Sequence, residues 1–224
     1  MTSESGRAES STRQPQAAPL RDQAYVALRD KLVMLEIPPG APIHEEEITS
    51  SLGLGRTPVR QALRRLEVER LVAIHPRRGT FAADVHITDL SQIAEIRLHL
   101  ESQAAGWAAQ RATQEERDTL RSLLVEMQQA ESDDPAKLME LDSGMHRTIY
   151  QCAHNAYLEG SLTELHNLMA RIWYLFAPRL PQAARLMEDH APLVEAIIAG
   201  DRDKAQHLAA RHVSDFESAV KAVL

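Results

Sequence analysis

The stretch Gly55–Leu71, GRTPVRQALRRLEVERL, limits what this chain can fold into more than any other. Gly55 can cap a helix, and Pro58 falls in the first turn, where its missing N–H costs nothing. Val59, Ala62, Leu63, Leu66 and Val68 then place apolar groups on one side of a helix predicted over 55–71. Arg56, Arg60, Arg64 and Arg65 load its first half with guanidinium groups. A basic helix start opposes the helix dipole. That local penalty makes sense where the start of the helix faces phosphates and the base edges of a major groove.

The flanks complete a recognisable unit. Residues 45–52, EEEITSSL, read as a short amphipathic helix, joined to the basic one by the tight link Leu52-Gly53-Leu54-Gly55. Downstream, 71–75 is a short apolar strand, Pro76-Arg77-Arg78-Gly79 a turn, and 80–83 a return strand, which together make a hairpin wing. From Arg56 to Arg78 seven arginines face two glutamates, whereas the whole chain carries −7. A basic island in an acidic protein is the electrostatic footprint of a nucleic-acid partner.

These residues resemble the winged helix of the GntR family of bacterial transcription regulators. The resemblance spans 20–83 and rests on Ile37-Pro38-Pro39-Gly40, on Arg56-Thr57-Pro58-Val59-Arg60-Gln61-Ala62-Leu63, and on Arg78-Gly79-Thr80-Phe81 in the wing. It implies that Arg56 and Arg60 read or clamp a DNA operator, that Thr57 touches its backbone, and that Gly79 lets the wing approach the minor groove. Arg64, Arg77 and Arg78 complete the expected DNA-binding set through their charge.

Beyond the wing the pattern is helical to the end. Aromatic residues make up only 4% of the chain while hydrophobic ones reach 44%, a Leu- and Ala-rich composition that favours helices over sheets. A first helix opens at Pro19 and runs over 20–36, with Tyr25, Leu28, Leu32 and Leu35 as its buried stripe and Pro38-Pro39-Gly40 as its stop. Further helices are predicted over 89–111, 114–131, 135–152, 155–176, 182–199 and 202–221. Thr88 is the expected cap of the first of these, Thr113 with Glu116 forms a capping box, Asp201 opens the last helix, and Pro192 marks a break or kink. The fold class is therefore mainly α: an N-terminal winged helix-turn-helix with a small β-hairpin wing, then an all-α antiparallel helical bundle. Its expected divisions are a disordered tail over 1–19, a DNA-binding domain over 20–85, and an effector-binding and dimerisation domain over 86–224. The single cysteine, Cys152, excludes an internal disulfide and a thiolate zinc cluster. No apolar run is long enough for a transmembrane helix, and no secretory signal is present, so a cytoplasmic protein is expected.

Three of those helices carry polar groups on apolar stripes. Asp142 and His146 are one turn apart among Leu138, Leu141, Met145 and Ile149. His190 follows Leu186 and precedes Leu193, Val194 and Ile197, and His212 lies between Leu208 and Phe216. Burying three imidazoles and a carboxylate without partners is expensive, and one divalent cation satisfies all four. Nitrogen and oxygen donors without sulfur suit zinc first, with nickel, manganese or Fe(II) open. His166, near Leu162, Met169 and Trp173, is a reserve ligand, and His207 is expected in solvent. Arg97 and Arg171 lie where either could bind a ligand carboxylate bidentately.

Here a second resemblance enters. Glu95-Ile96-Arg97-Leu98-His99-Leu100-Glu101, with Ala104-Ala105 and Ala108-Ala109, is similar to the opening helix of the FCD effector domain of FadR-type GntR regulators. It implies a metal site made by an Asp-x-x-x-His pair and two later histidines, matched by Asp142, His146, His190 and His212, and a small carboxylate effector. The leading expectation is a ligand-responsive regulator, a repressor that binds a pseudo-palindromic double-stranded operator as a homodimer, with no enzymatic activity. The rivals are a metal-dependent hydrolase or lyase, against which stands the lack of a base or nucleophile beside the metal, and a regulator for which the metal itself is the signal.

Overall fold

A computed structural model describes residues 18–129, 135–179 and 190–224 of the chain. Residues 1–17 of the tail expected over 1–19 lie outside it, as do the end of the helix expected over 114–131, Leu186, and the start of the helix expected from 182. Helix α1 (Leu20–Val33) begins after Pro19, and α2 (Glu45–Leu52) ends at Gly53, whose left-handed φ of 63° turns the chain toward α3 (Arg56–Val68). Strands β1 (Val72–His75) and β2 (Gly79–Ala82) pair antiparallel, Val72 opposite Ala82 and His75 opposite Gly79. The bundle consists of α4 (Thr88–Arg111), α5 (Gln114–Gln129), α6 (Pro135–Cys152), α7 (Ala156–Phe176), α8 (His190–Ala199) and α9 (Arg202–Lys221).

Most helix ends follow the expected chemistry. Thr113 Oγ1 accepts from the Glu116 N–H while the Glu116 carboxylate accepts from the Thr113 N–H, a closed capping box. The Asp201 side chain accepts from the Lys204 N–H, and Asn155, not foreseen, caps α7. Arg117 donates to the carbonyls of Ile197 and Ala109, placing a cation against the last turns of α8 and α4.

Other details differ from expectation. Helix α1 ends three residues early, because Leu35 adopts a left-handed φ of 57° and the Ile37 N–H reaches back to the Lys31 carbonyl before the prolines are met. Val68 is 79% exposed and not part of the buried stripe. It lies two residues past Leu66, about 200° around the helix, on the opposite side. Thr88 is the first residue of α4 and caps nothing; Ile87 precedes it without a side-chain cap. Pro192, expected at a break or kink, lies within the described part of α8. The wing also gains a third partner: the Ile43 N–H donates to the Thr80 carbonyl and the Ala82 N–H to that of Ala41, so 40–43 lines the free edge of β2.

Two apolar clusters fill the interior. One joins α4, α6 and the Ala-rich seam of α4 against α9, where Ala104, Ala105, Ala108 and Ala109 bring the helices close to Ala205 and Ala209. Gly106 belongs to that seam, since an added Cβ there would stand 2.6 Å from Gln206 Cγ. The other runs without interruption from Leu28, Leu63 and Leu66 of the winged helix to Leu90 of α4, Trp173 and Phe176 of α7, and Phe216 and Val220 of α9. The two halves of the chain therefore share a core.

Candidate functional site

The residues expected to contact DNA are all exposed. Arg56, Arg60 and Arg64 recur every four residues along α3, so they share an edge of the helix. Thr57, Arg77, Arg78 and Gly79 are exposed as well, the last three at the tip of the wing, where Arg77 and Gly79 both have positive φ. Two of the arginines are engaged: Arg56 Nη2 lies 3.1 Å from Glu46 Oε1 and Arg60 Nε 2.7 Å from Glu45 Oε2. Arg65 turns away from that edge. Its guanidinium lies over the Tyr25 ring at 3.6 Å and pairs with Glu69 at 3.0 Å, while the Tyr25 hydroxyl donates to the same carboxylate at 2.8 Å. Arg65 thus clamps α3 to α1, a role its place in the basic run did not reveal.

The second site lies inside the bundle. Asp142 and His146 from α6, His190 from the start of α8 and His212 from α9 are all buried, and one ligand atom from each lies within 4.8 Å of the others. His190 Nε2 is 3.1 Å from Asp142 Oδ1 and 3.4 Å from His146 Nε2, which is 3.2 Å from His212 Nε2. A ring nitrogen is either a donor or an acceptor, so three Nε2 atoms facing one point cannot all satisfy each other. Burial pushes the imidazoles of His146 and His212 below their ordinary range, which leaves them neutral with lone pairs available. Burial alone would raise the Asp142 carboxyl, but the imidazoles of His146 and His190 outweigh it and hold the group ionised. A buried carboxylate facing three imidazole nitrogens is a donor set that fits a divalent cation of borderline softness.

A layer of support surrounds this cage. Behind His146, Nδ1 lies 3.3 Å from the Tyr150 hydroxyl and 3.7 Å from Glu101 Oε2. Tyr150 donates to Glu101 Oε1 at 2.8 Å, and Arg97 holds the same oxygen through Nε and Nη2. Burial disfavours both charges of the Arg97–Glu101 pair, yet their mutual attraction wins, lowering the Glu101 carboxyl and raising the Arg97 guanidinium. A carboxylate behind a ligating imidazole orients the ring and strengthens its donor nitrogen. Glu101 and Tyr150 were not foreseen as site residues. Their signal was spacing, one turn after Arg97 and His146 respectively.

His166 adjoins the cage without entering its core. Its Nε2 is 3.0 Å from Ser143 Oγ and 3.9 Å from Asp142 Oδ2, its ring lies 4.8 Å from that of His146, and its Nδ1 has no partner. A cavity of about 30 Å³ opens beside these groups, lined by Arg97, His166, Met139, Trp173 and Phe216 among others. That is room for one or two waters or an ion, not for an organic acid of several carbons, since about 10–15 Å³ of such space holds one water. Arg171 does not line it. It is buried on α7 and donates from Nη2 to the Ala83 carbonyl at 2.5 Å, where the wing leads into α4. His207 is exposed, as expected.

A winged helix with a basic edge, sharing a core with a helical bundle that encloses a polar cage, is the architecture of a DNA-binding regulator. Residues 20–82 match the bacterial regulatory proteins of the gntR family, and residues 92–215 match the FCD domain. The chain belongs to the GntR family of transcription regulators, in its FCD-containing branch. It is 30% identical over 195 residues, 84% of this chain and 85% of the relative, to a probable D-xylose utilization operon transcriptional repressor of Paenarthrobacter nicotinovorans. It is 25% identical to the galactonate operon transcriptional repressor of Escherichia coli, covering 90% of this chain and 97% of that one. The fold superposes on that of E. coli McbR/YncC with a TM-score of 0.81 at 22% identity, over 92% of this chain and 98% of that one. These relatives are regulators, not enzymes, and among the described residues no helix is long and apolar enough to cross a membrane.

Proposed function

We propose that the protein is a cytoplasmic, homodimeric repressor whose affinity for a pseudo-palindromic operator is set by a small organic acid bound beside a metal ion in the bundle. The division of labour follows the chain: 20–85 holds DNA through Arg56, Thr57, Arg60, Arg64, Arg77, Arg78 and Gly79, and 86–224 holds the ligands and the dimer partner. One recognition helix reads only a few base pairs, so a two-fold operator and a two-fold protein go together. The observation that carries the sensory reading is the convergence of Asp142, His146, His190 and His212 on one buried point. These four residues would hold the ion, with zinc the first choice and nickel, manganese or iron open. When bound, the ion supplies a Lewis-acidic docking point for a carboxylate.

The chain's own residues do the rest. Arg97 lines the cavity and, with Glu101 occupying part of its guanidinium, can present its remaining N–H groups to an anion. Met139, Trp173 and Phe216 offer the apolar wall that a short carbon chain needs. Arg171, held at the Ala83 carbonyl, is better placed to carry a movement than to bind the acid. Because the cavity holds only about 30 Å³, an acid of several carbons can enter only if the helices around it shift. Those helices share a core with the winged domain, so effector binding and DNA affinity become linked, with a coupling of about 1–3 kcal/mol ordinary for such systems. Relatives named for the operons of galactonate, a hydroxy acid, and of D-xylose support a small hydroxylated effector.

The test is the double variant His190→Ala/His212→Ala. It should bind operator, contain no metal by elemental analysis, and ignore candidate acids in anisotropy titrations. Retention of stoichiometric metal moves the site elsewhere. Loss of metal with a normal response makes the ion structural, and a response to metal alone makes the protein a metal sensor.

A further inference from the structure

A larger cleft, about 530 Å³, lies between α1 of the winged domain and α6 and α7 of the bundle. Its size is within the range of small-molecule sites, unlike the 30 Å³ cavity at the histidine cage. Helix α6 serves both places from adjacent faces. Asp142 and His146 point to the cage, while Ser143 and Arg147, each one residue later and so turned by about 100°, line the cleft.

The charges in this cleft do not balance. Arg29 of α1 and Arg147 of α6 both line it. Two ion pairs lie in it, Asp30 accepting from Arg29 Nε and Nη2 at 2.9 and 2.7 Å and Glu140 lying 3.0 Å from Lys137 Nζ, which leaves Arg147 as the cation in excess. Arg147, half-buried, makes no hydrogen bond or ion pair with any described residue. A desolvated guanidinium near a second one is unfavourable unless an anion lies between them. An independent observation points the same way. Asn167 of α7 lines the cleft, is only 4% exposed, and its Nδ2 has no hydrogen-bond partner. A buried amide N–H without an acceptor costs roughly 1–3 kcal/mol, and a ligand oxygen removes that cost.

We propose that this cleft is a second ligand site, separate from the histidine cage, for a small dianion whose oxygens are held by Arg147 and Asn167 from the bundle and by Arg29 from the DNA-binding domain. Guanidinium pairs suit the paired oxygens of a phosphate or a carboxylate, so a phosphorylated metabolite and a dicarboxylic acid share the required chemistry. The occupant would bridge the two domains, so the site would also act on their relative placement.

Isothermal titration of the full-length, metal-replete protein with inorganic phosphate and with succinate, at constant ionic strength, tests this. One probe should bind at one per chain with a dissociation constant of a few millimolar or tighter. Arg147→Gln and Asn167→Ala should each weaken it at least tenfold, whereas His212→Ala should leave it within twofold. Binding of phosphate alone identifies a phosphorylated ligand, and binding of succinate alone a dicarboxylate; either result supports the site. Absence of binding by both probes at 20 mM overturns the proposal. So does affinity that survives Arg147→Gln in protein with wild-type circular dichroism, or affinity lost only with the cage.

Discussion

Arg56 and Arg60 are each tied to a glutamate of α2, yet both pairs are exposed. Exposed ion pairs are worth about 0–1 kcal/mol, and a phosphate or a guanine edge in a groove displaces them readily. Arg56→Ala and Arg60→Ala should therefore each weaken operator binding by about 1–3 kcal/mol and relax base discrimination. Gel shifts with operator and scrambled DNA are the check, and unchanged discrimination in both variants removes α3 from the recognition role. Tyr25 offers a second test of the same domain. Burial and the Glu69 carboxylate push its hydroxyl up to about 12 from 10. A folded-state value above the unfolded one stabilises the protein below pH 10, and that stability disappears as the pH rises toward 12. Two units correspond to an advantage on the order of 2 kcal/mol. The stability gap between wild type and Tyr25→Phe, measured by urea denaturation, should narrow over that window; a gap constant from pH 8 to 12 would mean the phenol is not buried against Glu69.

Helices α6 and α7 carry the polar interior, and each has two working faces. On α6 the i, i+4 spacing delivers Asp142 and His146 together, and Tyr150 one turn further back braces the ring of His146. On α7, His166 faces the cage while Arg171 reaches the Ala83 carbonyl, a direct hydrogen bond from the bundle to the end of the wing. Burial lowers the Arg171 guanidinium to about 10, and its Nε has no hydrogen-bond partner among the described residues, so this buried charge is only partly satisfied. Replacing a poorly satisfied buried charge by an apolar side chain of similar volume is often close to neutral. Arg171→Met should keep its stability within about 2 kcal/mol of wild type and retain its metal. Its operator affinity should respond to effector at least threefold less. A full response in fluorescence anisotropy would show that the Ala83 contact carries none of the coupling.

Across the chain, the continuous cluster from Leu28 and Leu66 through Trp173 to Phe216 and Val220 joins the winged helix to the helical bundle. A packed core responds to a displaced helix by switching arrangement, not by gradual deformation, so a change at the cage has a physical route to α1 and α3. The lone thiol takes no part: burial raises Cys152 to about 12, which leaves it inert to oxidation at neutral pH.

Local rules were enough for the winged helix and for every described bundle helix, because glycine and proline punctuation, caps and apolar periodicity act within a few residues. The Thr113–Glu116 box, the Asp201 cap and the Gly53 turn formed as their chemistry requires. The inward faces of Asp142, His146 and His212 were legible for the same reason, since a buried stripe is a property of one helix. Two classes of feature were not. Where a backbone residue can adopt a left-handed conformation unaided, as at Leu35, composition does not announce it, and α1 ended early. Contacts between helices distant in sequence depend on how the helices pack. Only the tertiary structure laid Arg65 over Tyr25, set Glu101 behind His146, sent Arg171 to Ala83 instead of the cavity, and left Arg147 without an ion pair among the described residues in a cleft made by three helices. A side chain's type and its place on a helix are written locally; its partner is decided by which other surface is pressed against it.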